Sequence, residues 1–263
     1  MSRLLLIPDI HQDLTFLSRI LDREKLDRFD QIILMGDYFD ARSEAFEGEM
    51  ATRMTARFLL ELVRQYRRKV RLLWGNHDII YCRLREYVLR VGAEGIAREV
   101  EDPELRETFQ RTLWINESWP GEMWARFEMA VKADGWLISH AGIHPDFWPA
   151  NPDPDNALSQ LRDQWDSVIG DLFENEDHPL LEAGQARGGA LPAGGPVWCD
   201  WDEEFVDGIP FPQIVGHTPA PAPRSHARSW CIDCAQSAYG VVEEGELVVL
   251  NLEGKVIGGS GEG

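Results

Sequence analysis

Arg71-Leu72-Leu73-Trp74-Gly75-Asn76-His77-Asp78 is an apolar run that stops abruptly at four residues with special chemistry. Such a run reads as a buried strand handing its last residues to a loop at the carboxyl edge of an α/β sheet, where ligands bind. Gly75 permits a turn or a close backbone approach. Asn76 offers a neutral oxygen to a cation, His77 can carry a proton near neutral pH, and Asp78 is placed to cap the periodic segment that follows. In isolation an Asn-His-Asp triplet is more often a helix cap beside a surface histidine. The rest of the chain changes that weighting.

The same order of strand, polar loop and helix occurs twice upstream. Leu4 to Ile7 ends in Pro8-Asp9-Ile10-His11, and Leu14, Leu17, Ile20 and Leu21 then recur at helical spacing. Gln31 to Met35 ends in Gly36-Asp37-Tyr38-Phe39-Asp40, and Met50, Met54, Phe58, Leu62 and Tyr66 form an i, i+4 stripe behind it. Arg53, Arg57, Arg64, Arg67, Arg68, Lys69 and Arg71 lie mostly opposite that stripe, as a solvated face would. A third helix carries Ile80, Leu84, Tyr87, Val88 and Val91, up to Gly92. Three consecutive units predict a parallel sheet with right-handed crossovers.

Downstream the pattern changes. Asp102-Pro103 opens a helix reaching Trp114. Phe127, Met129 and Val131 alternate, Asp134-Gly135 is a hairpin turn, and Trp136 to Ile138 is the return strand leading to Ser139-His140-Ala141-Gly142-Ile143-His144. A second sheet or a mixed edge is therefore expected. Leu158, Leu161, Trp165, Val168, Ile169 and Leu172 belong to another amphipathic helix, and residues 174–196, rich in Gly, Ala and Pro, read as loop. Pro212 to Val215 ends in Gly216-His217-Thr218. Ser229 to Asp233, Val241-Val242 and Leu247 to Leu250 read as strands closing the second sheet, and the Gly-rich end as frayed.

The length of 263 residues predicts one core, a single domain over 1–263, with helical insertions near 94–114 and 156–173. The net charge of −19, from 45 acidic and 26 basic residues, argues against binding a nucleic-acid duplex. An anionic substrate must then meet a local cluster of positive charge, which bound divalent metals would supply. No run is long enough to span a bilayer and the segment before Pro8 is too short for a secretory signal, so a cytoplasmic protein without membrane contact is expected. Four cysteines fit reduced thiols; Cys231-Ile232-Asp233-Cys234 has redox or zinc spacing, but no second pair exists and a structural role is preferred. His144 reads as a surface residue close to the site.

Asp9 and His11, Asp37 and Asp40, Asn76 and His77, His140 and His217 each follow an apolar strand, and these positions take four of the seven histidines. Carboxylate, imidazole and amide oxygen together suit borderline divalent metals, and the absence of cysteine disfavours structural zinc. Asp9, His11, Asp37, Asn76, His140 and His217 are too many ligands for one catalytic ion with open positions. A shared carboxylate would let two ions sit roughly 3.5–4 Å apart.

The succession Asp-x-His, Gly-Asp-x-x-Asp, Gly-Asn-His-Asp, His-Ala-Gly, Gly-His-Thr, from Asp9 to Thr218, resembles the calcineurin-like metallophosphoesterase superfamily. It is most similar to the branch of phosphoprotein phosphatases and symmetrical dinucleoside polyphosphate hydrolases, with Val197-Trp198-Cys199-Asp200 and Cys231-Ile232-Asp233 as late landmarks. The resemblance implies an α/β (α+β) fold of two mixed β-sheets packed face to face and flanked by helices. It implies that Asp9 and His11 hold one metal, that Asp37 bridges, that Asn76, His140 and His217 hold the other, and that His77 is the general acid oriented by Asp40. An imidazole also needs such a carboxylate on physical grounds, to fix its tautomer and keep it protonated. The implied ions are two divalent or trivalent transition metals, manganese first, with iron or zinc as alternatives. The implied reaction is hydrolysis of phosphomonoesters, on proteins or small molecules, by in-line attack of a metal-bridging hydroxide. Cleavage of dinucleoside polyphosphates and a non-catalytic metal-binding scaffold are the alternatives. The branch usually carries Asp-Arg-Gly where this chain has Asp40-Ala41-Arg42, so Arg42 and Arg187 are both candidates to contact the substrate phosphate.

Overall fold

A computed structural model describes residues 2–172 and 177–261. Arg3–Ile7 (β1), Gln31–Leu34 (β2) and Val70–Leu73 (β3) pair in parallel, with Leu14–Arg23 (α1) and Glu49–Gln65 (α2) as the crossovers. Phe127–Glu128 (β4) adds a fourth parallel strand beyond β3. Leu4, Leu5, Leu6 and Ile7 are all fully buried because both faces of β1 are covered, which is why the strand reads as continuous rather than alternating. Leu5 and Ile7 pack under the helices with Phe16, Leu17 and Leu59. Leu4 and Leu6 face the second sheet, against Ile138, Ile214 and Ile232. Each side chain so buried contributes about 1.5–3 kcal/mol.

That second sheet holds Ala130–Ala133 (β5), Trp136–Ser139 (β6), Gln213–Val215 (β7), Arg224–His226 (β8) and Ser229–Cys231 (β9), in the order β5-β6-β7-β9-β8. The parallel steps β6 to β7 and β7 to β9 make it mixed. The two mixed sheets flanked by helices are the expected fold class.

The details correct the sequence reading in four places. Ala238–Glu243 (β10) and Glu246–Asn251 (β11) extend the first sheet, β10 running antiparallel to β1, and do not close the second. The Gly-rich end is not frayed over Val256–Gly259 (β12), which pairs with β11. The alternating run Phe127 to Val131 is not one strand: the chain leaves the first sheet after Glu128 and enters the second at Ala130. On α2 the packed face is Thr52, Thr55, Ala56, Leu59, Leu62 and Val63, while Met50 and Met54 are exposed.

The third helix divides into Asn76–Arg83 (α3) and Arg85–Glu99 (α4), the latter kinked at Gly92, whose φ of 65° is left-handed. Pro103–Ser118 (α5) returns beside α4, its N-terminus capped by Asp102 as the Asp-Pro signature predicts. The short Gly121–Trp124 (α6) leads into β4. Asn116 on α5 donates to the carbonyl of Tyr81 at 3.1 Å and accepts from Trp124 Nε1 at 2.9 Å, which locks α5 onto α3. The expected helix near 156–173 is Pro154–Gly170 (α7). Phe173 and the first residues of the expected loop, 174–176, lie outside the described residues. From 177 to 196 the chain has short 3-10 turns, at Pro179–Leu181 and Gln185–Arg187, and an isolated bridge between Gly184 and Leu191. The four thiols are free, and Cys231 and Cys234 are buried. Among the described residues no helix is long and apolar enough to cross a membrane.

Candidate metal centre

The carboxyl ends of β1, β2, β3, β6 and β7 bring the predicted loop residues together. The Asp9–His11 loop hydrogen bonds the next one, His11 N to Asp37 O at 2.8 Å and Gln12 N to Tyr38 O at 3.0 Å. Gly75 packs so closely on Asp37 that a Cβ there would lie 2.2 Å from its N and Oδ1, so only glycine allows the third loop to close over the second. Gly216 similarly passes Asp9 Oδ1, where a Cβ would sit at 2.4 Å. Asp78 is fully buried and accepts from the backbone of Asp37, Tyr38 and Gly75 at 2.9–3.1 Å, so it ties two loops together besides closing the start of α3.

Two ligand groups result, Asp9, His11 and Asp37 on one side and Asp37, His140 and His217 on the other, each with its ligand atoms within 4.8 Å of one another. Asp37 belongs to both. His11 Nε2 lies 3.6 Å from Asp9 Oδ2 and 3.5 Å from Asp37 Oδ2, too far for hydrogen bonds and open to an ion between them. His140 Nε2 lies 3.0 Å from Asn76 Oδ1, 3.1 Å from His217 Nδ1 and 3.6 Å from Asp37 Oδ2. The backbone sets the ring orientations, because the other nitrogens, Nδ1 of His11 and of His140, face the carbonyls of Asp40 and Met35 at 2.6 and 2.8 Å.

The donor set fits cations on two counts. Nε2 of His11, which faces Asp9 and Asp37, is buried without a hydrogen-bond partner among the described residues, a costly state that an ion relieves; on the other side the imidazoles of His140 and His217 meet nitrogen to nitrogen at 3.1 Å, an arrangement that suits a shared cation. Asp9, Asp37 and Asp233 are buried carboxylates served by one guanidinium, that of Arg42, which pairs directly with Asp9 and Asp233, and buried negative charge on this scale requires positive partners. Their titration reflects the crowding. Burial and the neighbouring Asp37 push Asp78 well above the usual carboxylate range, and burial with Asp9 beside it raises Asp233. Asp9 is held below that range although burial opposes it, because His140, His11 and Arg42 surround it. Burial next to His140 and Arg187 lowers His217, favouring the neutral, ligating imidazole.

Beside the two groups stands His77, its ring 5.7 Å from that of His11. Its Nδ1 is 2.5 Å from Asp40 Oδ2. Burial alone would lower its pKa, but the charges of Asp37 and Asp40 raise it to about 9. Asp40 is drawn down to about 2 against its burial by His77, Tyr81 and Arg111. Tyr81 and Arg111, both hydrogen-bonded to Asp40 Oδ1, are functional neighbours that the sequence reading missed.

Arg42 and Arg187 are both near the centre and both engaged. Arg42 bridges Asp9 and Asp233 at 3.1 and 2.9 Å. Arg187 pairs with Asp200 at 2.9 Å and donates to Thr218 Oγ1 at 3.2 Å. His144 is half-buried and accepts from Asp146 N at 3.2 Å, starting a short turn.

A family model described as calcineurin-like phosphoesterase matches residues 2–221. The chain belongs to that family. It is therefore a metal-dependent phosphoesterase, and its two ligand groups are of the kind such a metal requires. A search of curated proteins finds no match. Among solved structures, the cold-active protein-tyrosine phosphatase of a psychrophilic Shewanella superimposes on this phosphoesterase with a TM-score of 0.58 at 15% identity, covering 98% of this chain and 81% of that one. A point mutant of a cold-active protein tyrosine phosphatase gives 0.61 at 17% identity with the same coverages. At these identities the likeness is one of fold.

Proposed function

We propose that this phosphoesterase hydrolyses phosphomonoesters, on proteins or small molecules, with two transition-metal ions, manganese being the first to test. One observation carries the reading: two ligand groups share Asp37 within reach of a paired imidazole and carboxylate. Asp9, His11 and Asp37 would hold one ion, and Asp37, Asn76, His140 and His217 the other, all within one domain over residues 1–263. Such ions supply Lewis-acid charge for phosphoryl oxygens and make water a stronger nucleophile at neutral pH.

The chain's own residues do the rest. Asp40 holds Nδ1 of His77, leaving Nε2 of a ring that is 43% exposed to meet the substrate. His77 gives the Nε2 proton to the leaving oxygen as the P–O bond breaks, while water supplies the new oxygen on phosphorus. Arg187 has a nitrogen beyond its two hydrogen bonds with which to hold a phosphate oxygen, and Arg42 is placed to follow if a cation takes its place at Asp9.

A cleft of about 480 Å³ opens beside His77, lined also by Asp40, Tyr81, Glu104, Glu107 and Arg111. Its one arginine is spent on Asp40 and Glu107. A polyanionic leaving group would meet three carboxylates there, Asp40, Glu104 and Glu107, and as cations only His77 and Arg111, both already paired with carboxylates, which favours a monoester over a dinucleoside polyphosphate. Metal-stripped protein reloaded with manganese, iron or zinc and given p-nitrophenyl phosphate, its bis-ester, a phosphopeptide and diadenosine tetraphosphate tests the reading. Turnover of the monoesters above the others is expected. Preference for the tetraphosphate would refute the substrate class.

A further inference from the structure

The carboxylate of Asp40 uses its two oxygens differently. Oδ2 faces Nδ1 of His77, whereas Oδ1 accepts from both the Tyr81 hydroxyl and an Nη of Arg111. Tyr81 lies on α3, one turn beyond His77. Arg111 comes from α5, 71 residues beyond Asp40 in sequence, and its side chain is only 13% exposed. The arginine is itself held, because its second Nη donates to Glu107 Oε1 one helical turn away at 2.8 Å. The helix cannot drift, since Asn116 fastens it to the Tyr81 carbonyl and to Trp124.

We infer that Tyr81 and Arg111 are positioning residues for the proton donor. By occupying Oδ1 they fix the plane of the Asp40 carboxylate, so Oδ2 stays on His77 and the imidazole presents one tautomer and one face to the leaving oxygen. α5 thus completes the acid as well as walling the cleft together with α3. This inference rests on the proposed role of His77. Arg111 is not the phosphate anchor, because both of its Nη atoms are committed to carboxylates and its remaining nitrogen, Nε, is buried.

The donor matters for a poor leaving group and little for p-nitrophenolate, which departs unprotonated. Manganese-loaded Arg111→Met, Arg111→Lys, Tyr81→Phe and His77→Asn would be compared on p-nitrophenyl phosphate and on an alkyl phosphate, with metal content measured for each. Losing an outer hydrogen-bond partner of a site typically costs about 10–100-fold. Arg111→Met should therefore lose about 10–100-fold in kcat on the alkyl ester and less than about threefold on the aryl ester, with KM and metal content unchanged. Arg111→Lys should recover part of the loss. Tyr81→Phe, which removes one hydroxyl, should shift the same ratio less and keeps the comparison available should Arg111→Met not fold. Equal losses on both esters would make Arg111 merely structural, and a raised KM at constant kcat would make it a substrate ligand; either overturns the inference. If His77→Asn itself leaves the ratio of the two rates unchanged, the proposed donor is wrong. If His77→Asn moves the ratio and the Arg111 and Tyr81 variants do not, only the positioning role fails.

Discussion

Replacing Asp40 by Asn removes one charge and little volume, and its consequence can be worked from the geometry. With Nδ1 of His77 2.5 Å from Oδ2, the charge centres of imidazolium and carboxylate lie about 4 Å apart. At an effective dielectric near 20 that pair is worth about 4 kcal/mol, or roughly three pH units on the imidazole. The ring is 43% exposed, so solvent screening reduces the figure to about one to two units. The sign follows from the direction of the shift: His77 is raised from 6.5 to about 9, so the donor is present through neutral pH and lost as pH rises through that value. Asp40→Asn should move the alkaline limb of kcat for an alkyl phosphate about one to two units towards acid and leave the limb for p-nitrophenyl phosphate nearly in place. The assay is a pair of pH–rate profiles on the manganese-loaded variant, with two ions per chain verified first. An unmoved alkyl limb at full metal content would refute the claim that Asp40 keeps the donor charged.

Asp37→Asn should lower bound metal from two ions to one or fewer by elemental analysis, because Asp37 belongs to both ligand groups, and should cost at least the 10–100-fold typical of an outer-shell change. Gly75→Ala forces a Cβ to 2.2 Å from the Asp37 backbone; chemical denaturation should register a loss of about 1–3 kcal/mol or more, with metal content falling alongside. On α2, Leu59→Ala should destabilise by about 2–5 kcal/mol and Met54→Ala by less than about 0.5, since one is buried and the other 53% exposed. Similar losses at the two positions would contradict the packed face assigned to that helix.

The contrast between Leu59 and Met54 shows where sequence periodicity runs out. The Met50, Met54, Phe58 stripe is the one hydropathy picks out, yet Thr52 and Thr55 are fully buried beside Ala56 and Leu59 while Met50 and Met54 are exposed. Thr52 can be buried because its hydroxyl returns to the Gly48 carbonyl at 3.0 Å, a local compensation that hydropathy does not weigh. The loops were legible for the opposite reason: an apolar run closed by Asp, His or Asn next to Gly combines two signals in one place. The central strands were legible too, but the edge strands β8 and β12 were not, and neither were the strand partners. β10 finds β1 more than two hundred residues away, and nothing in Val241-Val242 says which sheet will take it. Arg111 was invisible for the same reason, although a carboxylate oriented on His77 has a second oxygen that must be satisfied, and that requirement could have prompted a search for its donors.

The backbone supplies a last argument that these loops serve a cation. His11, Asp37 and His217 all adopt left-handed φ, at 46°, 52° and 67°, and Gln12 beside them does so at 60°. Each such conformation costs a non-glycine residue of order 1–3 kcal/mol and persists only where surrounding contacts over-determine it. Those contacts are present: His11 N on the Asp37 carbonyl, His217 N on Asp9 Oδ1, and the Asp37 backbone on Asp78. Relaxing any one of the three turns would relieve strain and separate the carboxylates, so the protein without metal has two reasons to open at this edge and holds it closed by these hydrogen bonds and the Arg42 ion pairs. A bound ion removes the second reason. It follows that metal should protect the amide protons of His11, Asp37 and His217 from exchange more than that of Val242 on β10, which pairs with Leu4 at the end of β1 away from the ligand loops.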